Sequence, residues 1–433
     1  MCNLSIKDEL DSLRSGDLFL GSYLDAICDR IDEEEGTIHA FVSGQCDRET
    51  IRSRGESLLK KYPETDKRPS LFGLPIGIKD IYRVDGYETR CGSRLPPLLF
   101  EGKQASSVTR LLNAGAVLMG KTVTTEFASY MPGPTRNPHR LNHTPGGSSS
   151  GSAAGVASGF YPVALGSQTV GSVIRPASFC GVFGFKPSFG RIPTDGVIPL
   201  APSLDHVGFF CRDVFGLSPV ASVLMKDWNA ELSSSFHGHS SLVIGIPEGP
   251  YLERVSDCGR QRFAENLRRL REGGFQILEI SAFPDLDEMI DCNMKIMMKE
   301  MAVVHKLWYE AYGVSYGPKT ADLINKGMLI SDERHKELLG KKKENCQRLE
   351  DLMDQNGVDF WIAPSATGPA PEGLESTGDA TMNLPWTHCG MPVISVPIEV
   401  GGEGLPQGIQ LVGRIGCDES LVEFVKSVSE ILA

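Results

Sequence analysis

PGGSSSGSAAGVASGFYPVALGSQTVGSVIRPASFCGVFGFKPS, from Pro145 to Ser188, gathers glycine, serine and threonine into two clusters around a short apolar run, and the fold turns on how it is read. Gly146-Gly147-Ser148-Ser149-Ser150-Gly151 has the composition of a flexible linker. A linker, however, is not followed at once by a small-residue helical pattern and then a buried-strand pattern. Here Ala153, Ala154, Val156 and Ala157 lead into Pro162-Val163-Ala164-Leu165, and such apolar flanks argue against disorder. The stretch predicts a helix over about 152–158, a buried strand over 162–165, a loop over 166–171 and a short helix beginning near Ser172.

The rest of the 433 residues sets bounds on what the stretch can belong to. With 41% hydrophobic and 23% charged residues the chain reads as an ordinary globular protein. Its net charge of -12 is spread rather than blocked, which argues against nucleic acid or an anionic membrane as the main partner. The eleven cysteines are scattered, with neither CxxC pairs nor Cys/His clusters at metal-ligand spacing, so reduced thiols and no metal are expected. His237 and His239 lack a neighbouring Cys or acidic ligand and read as part of a surface connection. The charged N-terminus is unlike a signal peptide, and no apolar run reaches the roughly 18 residues of a membrane span, so a soluble, cytoplasmic protein is expected.

Around the central stretch the chain alternates helices and strands. Leucines and isoleucines between Leu10 and Ile31 predict two amphipathic helices, and Asp47 to Lys61 a third. Thr37 to Val42 reads as a short strand or extended lead-in. Ser106 to Gly115 reads as a helix with a serine cap, followed by the strand Ala116 to Gly120. Further helices are expected over Leu217 to Met225, Arg260 to Glu272, Leu286 to Tyr312 and Ser331 to Gln355, with one at the end from Glu419. Strands are expected over Leu242 to Pro247, Phe275 to Leu278, Val358 to Ala363, Val393 to Ile398 and Gly408 to Val412. No repeat or domain boundary stands out. The alternation predicts a single large α/β/α layered domain over 1–433, with N-terminal helices (about 4–61) wrapping a core (about 71–200) and a variable helical region at about 285–355.

One lysine stands out in this frame. Leu71 to Tyr82 is almost wholly apolar and carries Lys79 near its end. A strand apolar on both sides is buried on both faces, so Lys79 is either an ion-paired strand end, with Asp80 the candidate partner, or is held inside by specific partners. Burial drives an amine toward its neutral form, and a neutral amine is a general base. The glycine-rich stretch itself does not bind phosphate by any known pattern, because neither GxxxxGK[ST] nor GxGxxG is present. What it offers is hydroxyls on a backbone that can approach a substrate closely, which suits acyl transfer. No GxSxG elbow is present and no histidine lies in either cluster, so the base falls to Lys79.

These segments resemble the amidase signature hydrolases. The resemblance rests on Gly73-Leu74-Pro75-Ile76-Gly77-Ile78-Lys79-Asp80, Ala114-Gly115-Ala116-Val117-Leu118-Met119-Gly120-Lys121, Pro145 to Ala154, Gly166-Ser167-Gln168-Thr169-Val170-Gly171-Ser172, Arg175 to Gly181, Gly184-Phe185-Lys186-Pro187, Asn383 to Thr387 and Gly390-Met391-Pro392. It implies the amidase signature fold, with a mixed, twisted central sheet covered by helices. It implies a Ser-cisSer-Lys triad with Ser172 as nucleophile, Ser148 as the bridging serine after a cis peptide bond and Lys79 as base. The N–H groups of Thr169, Val170, Gly171 and Ser172 would form the oxyanion hole. No cofactor is implied. The partners implied are a small amide or urea-like substrate and water, and the resemblance leaves room for a homodimer.

The chain departs from the commonest Asp-Thr-Gly-Gly-Ser pattern at Gln168-Thr169-Val170. Val170 keeps its N–H but avoids positive φ. Gln168 removes a negative charge, so Arg175 either serves the structure or faces a substrate anion, an ambiguity that Arg136 and Arg191 share. Ser149, Met131 and Trp386 are further candidates for supporting or contacting the substrate. The leading expectation is a stand-alone amidohydrolase. The alternatives are the glutamine-hydrolysing subunit of an amidotransferase, although Ser315 to Lys343 does not read as a basic recognition segment, and a non-catalytic pseudoenzyme.

Overall fold

In the computed structural model, which describes residues 4–234, 242–398 and 404–432, the small-residue helix Ser150–Ala157 lies wholly buried except for partly exposed Ala157. Its composition follows from how tightly it is pressed. A Cβ on Gly151 would lie 2.0 Å from the Ala40 carbonyl oxygen and 2.5 Å from the Val123 nitrogen, and one on Gly155 would lie 2.0 Å from the Tyr161 hydroxyl. Tyr161 in turn donates to the Gly151 carbonyl at 2.8 Å. Gly151→Val is therefore expected to overpack a site walled by backbone, costing about 3 kcal/mol or more, measurable as a lower urea midpoint. A midpoint within error of wild type would contradict this packing.

The strands form one mixed, twisted ten-stranded sheet in the order β2-β1-β3-β5-β4-β9-β10-β8-β6-β7. In chain order they are β1 (Pro75–Lys79), β2 (Val117–Thr122), β3 (Val163–Gln168), β4 (Phe183–Lys186), β5 (His206–Cys211), β6 (Val243–Glu248), β7 (Gln276–Ser281), β8 (Phe360–Pro364), β9 (Val393–Ile398) and β10 (Gln407–Val412). β1 pairs in parallel with β2 and β3, and β6 with β7 and β8, while the strands between are antiparallel. β1 to β5 are buried along their whole length, as their continuous apolar runs require for a sheet covered on both faces. One hydrophobic cluster runs from Ile6 to Leu432 and joins the helices to both faces.

The expected elements recur with shifted bounds, and some differences have clear causes. The second helix, Leu20–Ile38, runs into the expected lead-in, leaving Phe41 only an isolated bridge to Thr122. The helix Ser106–Asn113 is not capped by serine: Ala105 takes the cap position, and the Ser106 hydroxyl donates to Asp195 at 2.6 Å. β3 continues through Ser167 and Gln168, because β5 pairs with it up to Gln168↔His206. The helix Pro318–Met328 falls within the expected helical region at about 285–355, between the two helices placed there individually. The connection with His237 and His239, and the glycine-rich turn after Ile398, lie outside the described residues. Among the described residues, the ten cysteines are free, and no helix is long and apolar enough to cross a membrane.

Candidate active site

Parallel pairing puts the C-terminal ends of β1 and β3 side by side. Lys79 ends the first, and Ser167-Gln168 end the second. The helix Ser150–Ala157 starts against the same edge, directly after a cis Gly147–Ser148 peptide bond. The result is a buried cluster: Lys79 Nζ lies 2.6 Å from Ser148 Oγ and 2.8 Å from Ser167 Oγ. Lys79 has no exposed surface, and among the described residues no carboxylate pairs with it. Asp80, the candidate ion-pair partner, instead binds Lys121 of β2 at 2.7 Å, with both side chains out of solvent. Burial pushes the Lys79 amine well below its usual range, opposed by the charge of Asp205. A neutral amine beside two hydroxyls can accept a proton.

The turn after β3 is held from within. The side-chain carbonyl oxygen of Gln168 accepts from the N–H groups of Val173 at 2.8 Å and Ile174 at 2.9 Å, while its amide donates to the Thr387 hydroxyl at 2.8 Å. That hydroxyl lies 2.7 Å from the Val170 carbonyl, so both departures from the commoner pattern are braced by Thr387. No acceptor among the described residues takes the N–H groups of Val170, Gly171 or Ser172. Ser172, 9% exposed, borders a cavity of about 20 Å³ together with Ala128, Ser129, Tyr130, Arg175 and Met297. That volume is room for about one water.

Arg175 is buried at the same cavity. Its guanidinium donates to the Gly147 carbonyl at 2.7 Å and the Thr377 hydroxyl at 3.0 Å, its Nε has no partner among the described residues, and burial lowers its pKa to about 10. Ser129 Oγ, also at this cavity, is buried without a partner among the described residues. The other two arginines are occupied elsewhere. Arg191 is ion-paired with Asp227, Asp418 and Glu419, and Arg136 donates to the Leu141 carbonyl.

Not every candidate reaches the cavity. Ser149 is fully buried and exchanges hydrogen bonds with the backbone of Ser167, tying the helix to β3. Met131 is not among the residues lining the cavity; its carbonyl accepts from Glu126 N–H. Trp386 is a correction: it is fully buried, donates to the Tyr251 hydroxyl at 2.9 Å, and packs against Tyr251, Phe283 and Trp361 in the core. A tryptophan beside a motif proline has the same signature in a core as in a pocket. Four further residues support the site: Ser167, Asp205, Thr377 and Thr387. Ser167 and Thr387 had a sequence signal, as members of quoted motifs, although neither was singled out. Asp205 and Thr377 come from segments joined to the site only by folding.

The fold and the lysine-serine cluster fit a hydrolase of amide carbon-nitrogen bonds. The family model for amidases matches residues 22–422. A glutamyl-tRNA(Gln) amidotransferase subunit from Prochlorococcus marinus (strain NATL2A) is 30% identical, with 95% of this chain and 94% of that protein covered. The corresponding subunit of Lysinibacillus sphaericus (strain C3-41) is 28% identical over 95% of this chain and 92% of that one. Among solved structures, an amidase crystal structure superposes with a TM-score of 0.90 at 27% identity, covering 99% of this chain and 100% of that one. A chain from a vestigial complex bearing on the origins of an s-triazine catabolic enzyme gives 0.87 at 25%, covering 99% and 98%. This chain belongs to the amidase family and is a hydrolase acting on amide C–N bonds.

Proposed function

We propose that the protein hydrolyses a small amide through an acyl-enzyme on Ser172, with Lys79 as base and Ser148 as the bridge between them. The observation that carries this reading is the fully buried, carboxylate-free Lys79 amine within 2.6 Å of Ser148 Oγ. Ser172 Oγ attacks the amide carbonyl carbon as its proton passes to Ser148, and the Ser148 proton passes to Lys79. The developing oxyanion faces the N–H groups of Thr169, Val170, Gly171 and Ser172, three of which have no other acceptor among the described residues. Collapse expels the amine, which takes its proton back along the same path. Water then attacks the ester carbonyl and frees Ser172. Release of ammonia or amine from a panel of amides and ureas tests this; no release from any of them, and no labelling by an active-site serine probe, would oppose it.

Arg175 narrows the substrate. A buried guanidinium with no ion pair among the described residues, bordering the cavity beside the Ser129 hydroxyl that likewise lacks a partner among them, is completed by an anionic group. The substrate is therefore a small amide that also carries a carboxylate. Arg175→Met is expected to lower kcat/KM for such amides by about 10²-fold and to leave neutral amides far less affected. Equal losses on both would make the residue a support for the Gly147 carbonyl alone.

The curated relatives named above favour a second reading, in which the chain is the glutamine-hydrolysing subunit of an amidotransferase. Against it, exposed ion pairs such as Lys326–Asp322 and Arg334–Glu337 balance the charge of the helices at 318–328 and 332–356. Glutaminase activity that appears only with a copurifying second chain would establish it, and amide hydrolysis by the isolated chain would exclude it. The free thiols support a reducing, cytoplasmic setting.

A further inference from the structure

Asp205, immediately before β5, carries a carboxylate that the proposed mechanism does not use. One of its oxygens accepts the Thr169 hydroxyl at 2.6 Å, and the other accepts the N–H groups of Leu200 at 2.8 Å and Ala201 at 3.0 Å. It borders a cavity of about 240 Å³ whose wall also includes Ser167 and Thr169. Ser167 is the second hydroxyl on Lys79 Nζ, and Thr169 opens the turn that ends at Ser172. Asp205 thus touches one part of the site through a hydrogen bond and acts on the other through its charge.

We propose that Asp205 is a positioning residue for the reaction: it anchors Thr169 at the start of the oxyanion turn, and its negative charge stabilises the ammonium that Lys79 becomes on receiving the Ser172 proton through Ser148. This rests on the reading of Lys79 as base. Asp205 transfers nothing and stays ionised throughout. The proton leaves Ser172, rests on Lys79 and departs on the amine. Without a counter-charge, a buried ammonium is a high-energy species, and Lys79 has no carboxylate in direct contact.

The charges around Asp205 give the pH dependence its sign. Burial raises the Asp205 carboxyl to about 6, and the like charge of Glu300 on the helix Leu286–Tyr312 adds to the effect. His206, the next residue, is kept neutral by burial. Tyr82, beyond β1, is pushed up by burial and by Asp205 itself, and burial pushes the Cys91 thiol well above its usual range, so it is neutral near Lys79. Lys342 is engaged by the Ser203 carbonyl at 2.6 Å. Below about pH 6 Asp205 becomes neutral, and the stabilising charge is lost.

The test is the rate at which a fluorophosphonate labels the full-length protein, measured against pH. The wild-type rate is expected to rise through about pH 6. Asp205→Asn is expected to lower the plateau by about 10²-fold and to move the rise to lower pH, because no carboxylate titrates and Lys79 gives up its proton more readily. Thr169→Val, which keeps the charge but loses the anchor and a hydrogen bond that holds the Asp205 carboxyl down, should lower the plateau and move the rise to higher pH, opposite to Asp205→Asn, and Asp205→Glu should restore part of the rate. A folded Asp205→Asn with an unmoved rise, or a Thr169→Val that moves it to lower pH as Asp205→Asn does, would overturn the proposal. Should Asp205→Asn not fold, the wild-type profile decides, a flat rate across about pH 5 to 7 overturning it and a rise that Thr169→Val moves to higher pH supporting it. Lys79→Met is run in parallel: labelling at the wild-type rate would remove the base reading itself, and the Asp205 proposal with it, whereas slow Lys79→Met with normal Asp205→Asn would remove the Asp205 proposal alone.

Discussion

Ser172→Ala is expected to reduce amide turnover by roughly 10⁴-fold or more, with stability within about 1 kcal/mol of wild type. The two halves of this expectation have different sources. Ser172 sits at a cavity wall and is 9% exposed, so deleting its hydroxyl leaves no buried partner stranded. The covalent route, by contrast, disappears with the hydroxyl. Because the relay acts as a unit, adding Lys79→Met to Ser172→Ala should cost little more. Steady-state turnover of the best amide, with thermal unfolding as the control, checks both halves. Turnover of the folded variant within tenfold of wild type would contradict a serine nucleophile at this position.

The second large effect is on Lys79. Lys79→Met keeps the length and apolar character of the side chain and removes the amine, and a loss of about 10²- to 10⁴-fold in kcat is expected, the range of a general base. Stability should respond in a way that a merely structural lysine would not produce. Burial lowers the folded-state pKa of Lys79, so the folded chain binds fewer protons here than the unfolded chain, whose lysine titrates near about 10.4. The lysine therefore destabilises the fold below that pH, and this penalty shrinks as pH rises toward it. Relative to wild type, Lys79→Met should lose about 1.4 kcal/mol of any advantage per pH unit over the window between the folded and unfolded pKa values. Urea unfolding of both proteins at pH 7 and 9 measures this. Parallel stability curves would mean that Lys79 is charged in the folded protein and is not a base.

How far the sequence carried these conclusions differs from residue to residue. Lys79 stood out because a lysine in a two-sided apolar run has few ways to be accommodated, and Ser148 and Ser172 were named only through the resemblance to the amidase signature motifs. Lys79's freedom from a carboxylate was not legible, since it depends on Asp80 turning to Lys121, 41 residues away in sequence and brought close only by the β1–β2 pairing. Gln168 and Val170 stood out as departures, yet what they do depends on Thr387, 219 and 217 residues further along. Trp386 was misplaced because sequence does not say which side of a short helix faces the core. Most elements followed from hydrophobic periodicity. β4, at the end of the central stretch, and β5, just after it, did not, because their glycines, Gly184 and Gly208, blur the strand signal.

The central claim is that a covalent intermediate forms on one particular serine. Peptide mapping by mass spectrometry of the fluorophosphonate-treated protein tests it most directly. The adduct is expected on Ser172, to be absent from Ser172→Ala, and to form slowly in Lys79→Met. An adduct on Ser148 or on any other residue, or labelling of Ser172→Ala at the wild-type rate, would contradict it.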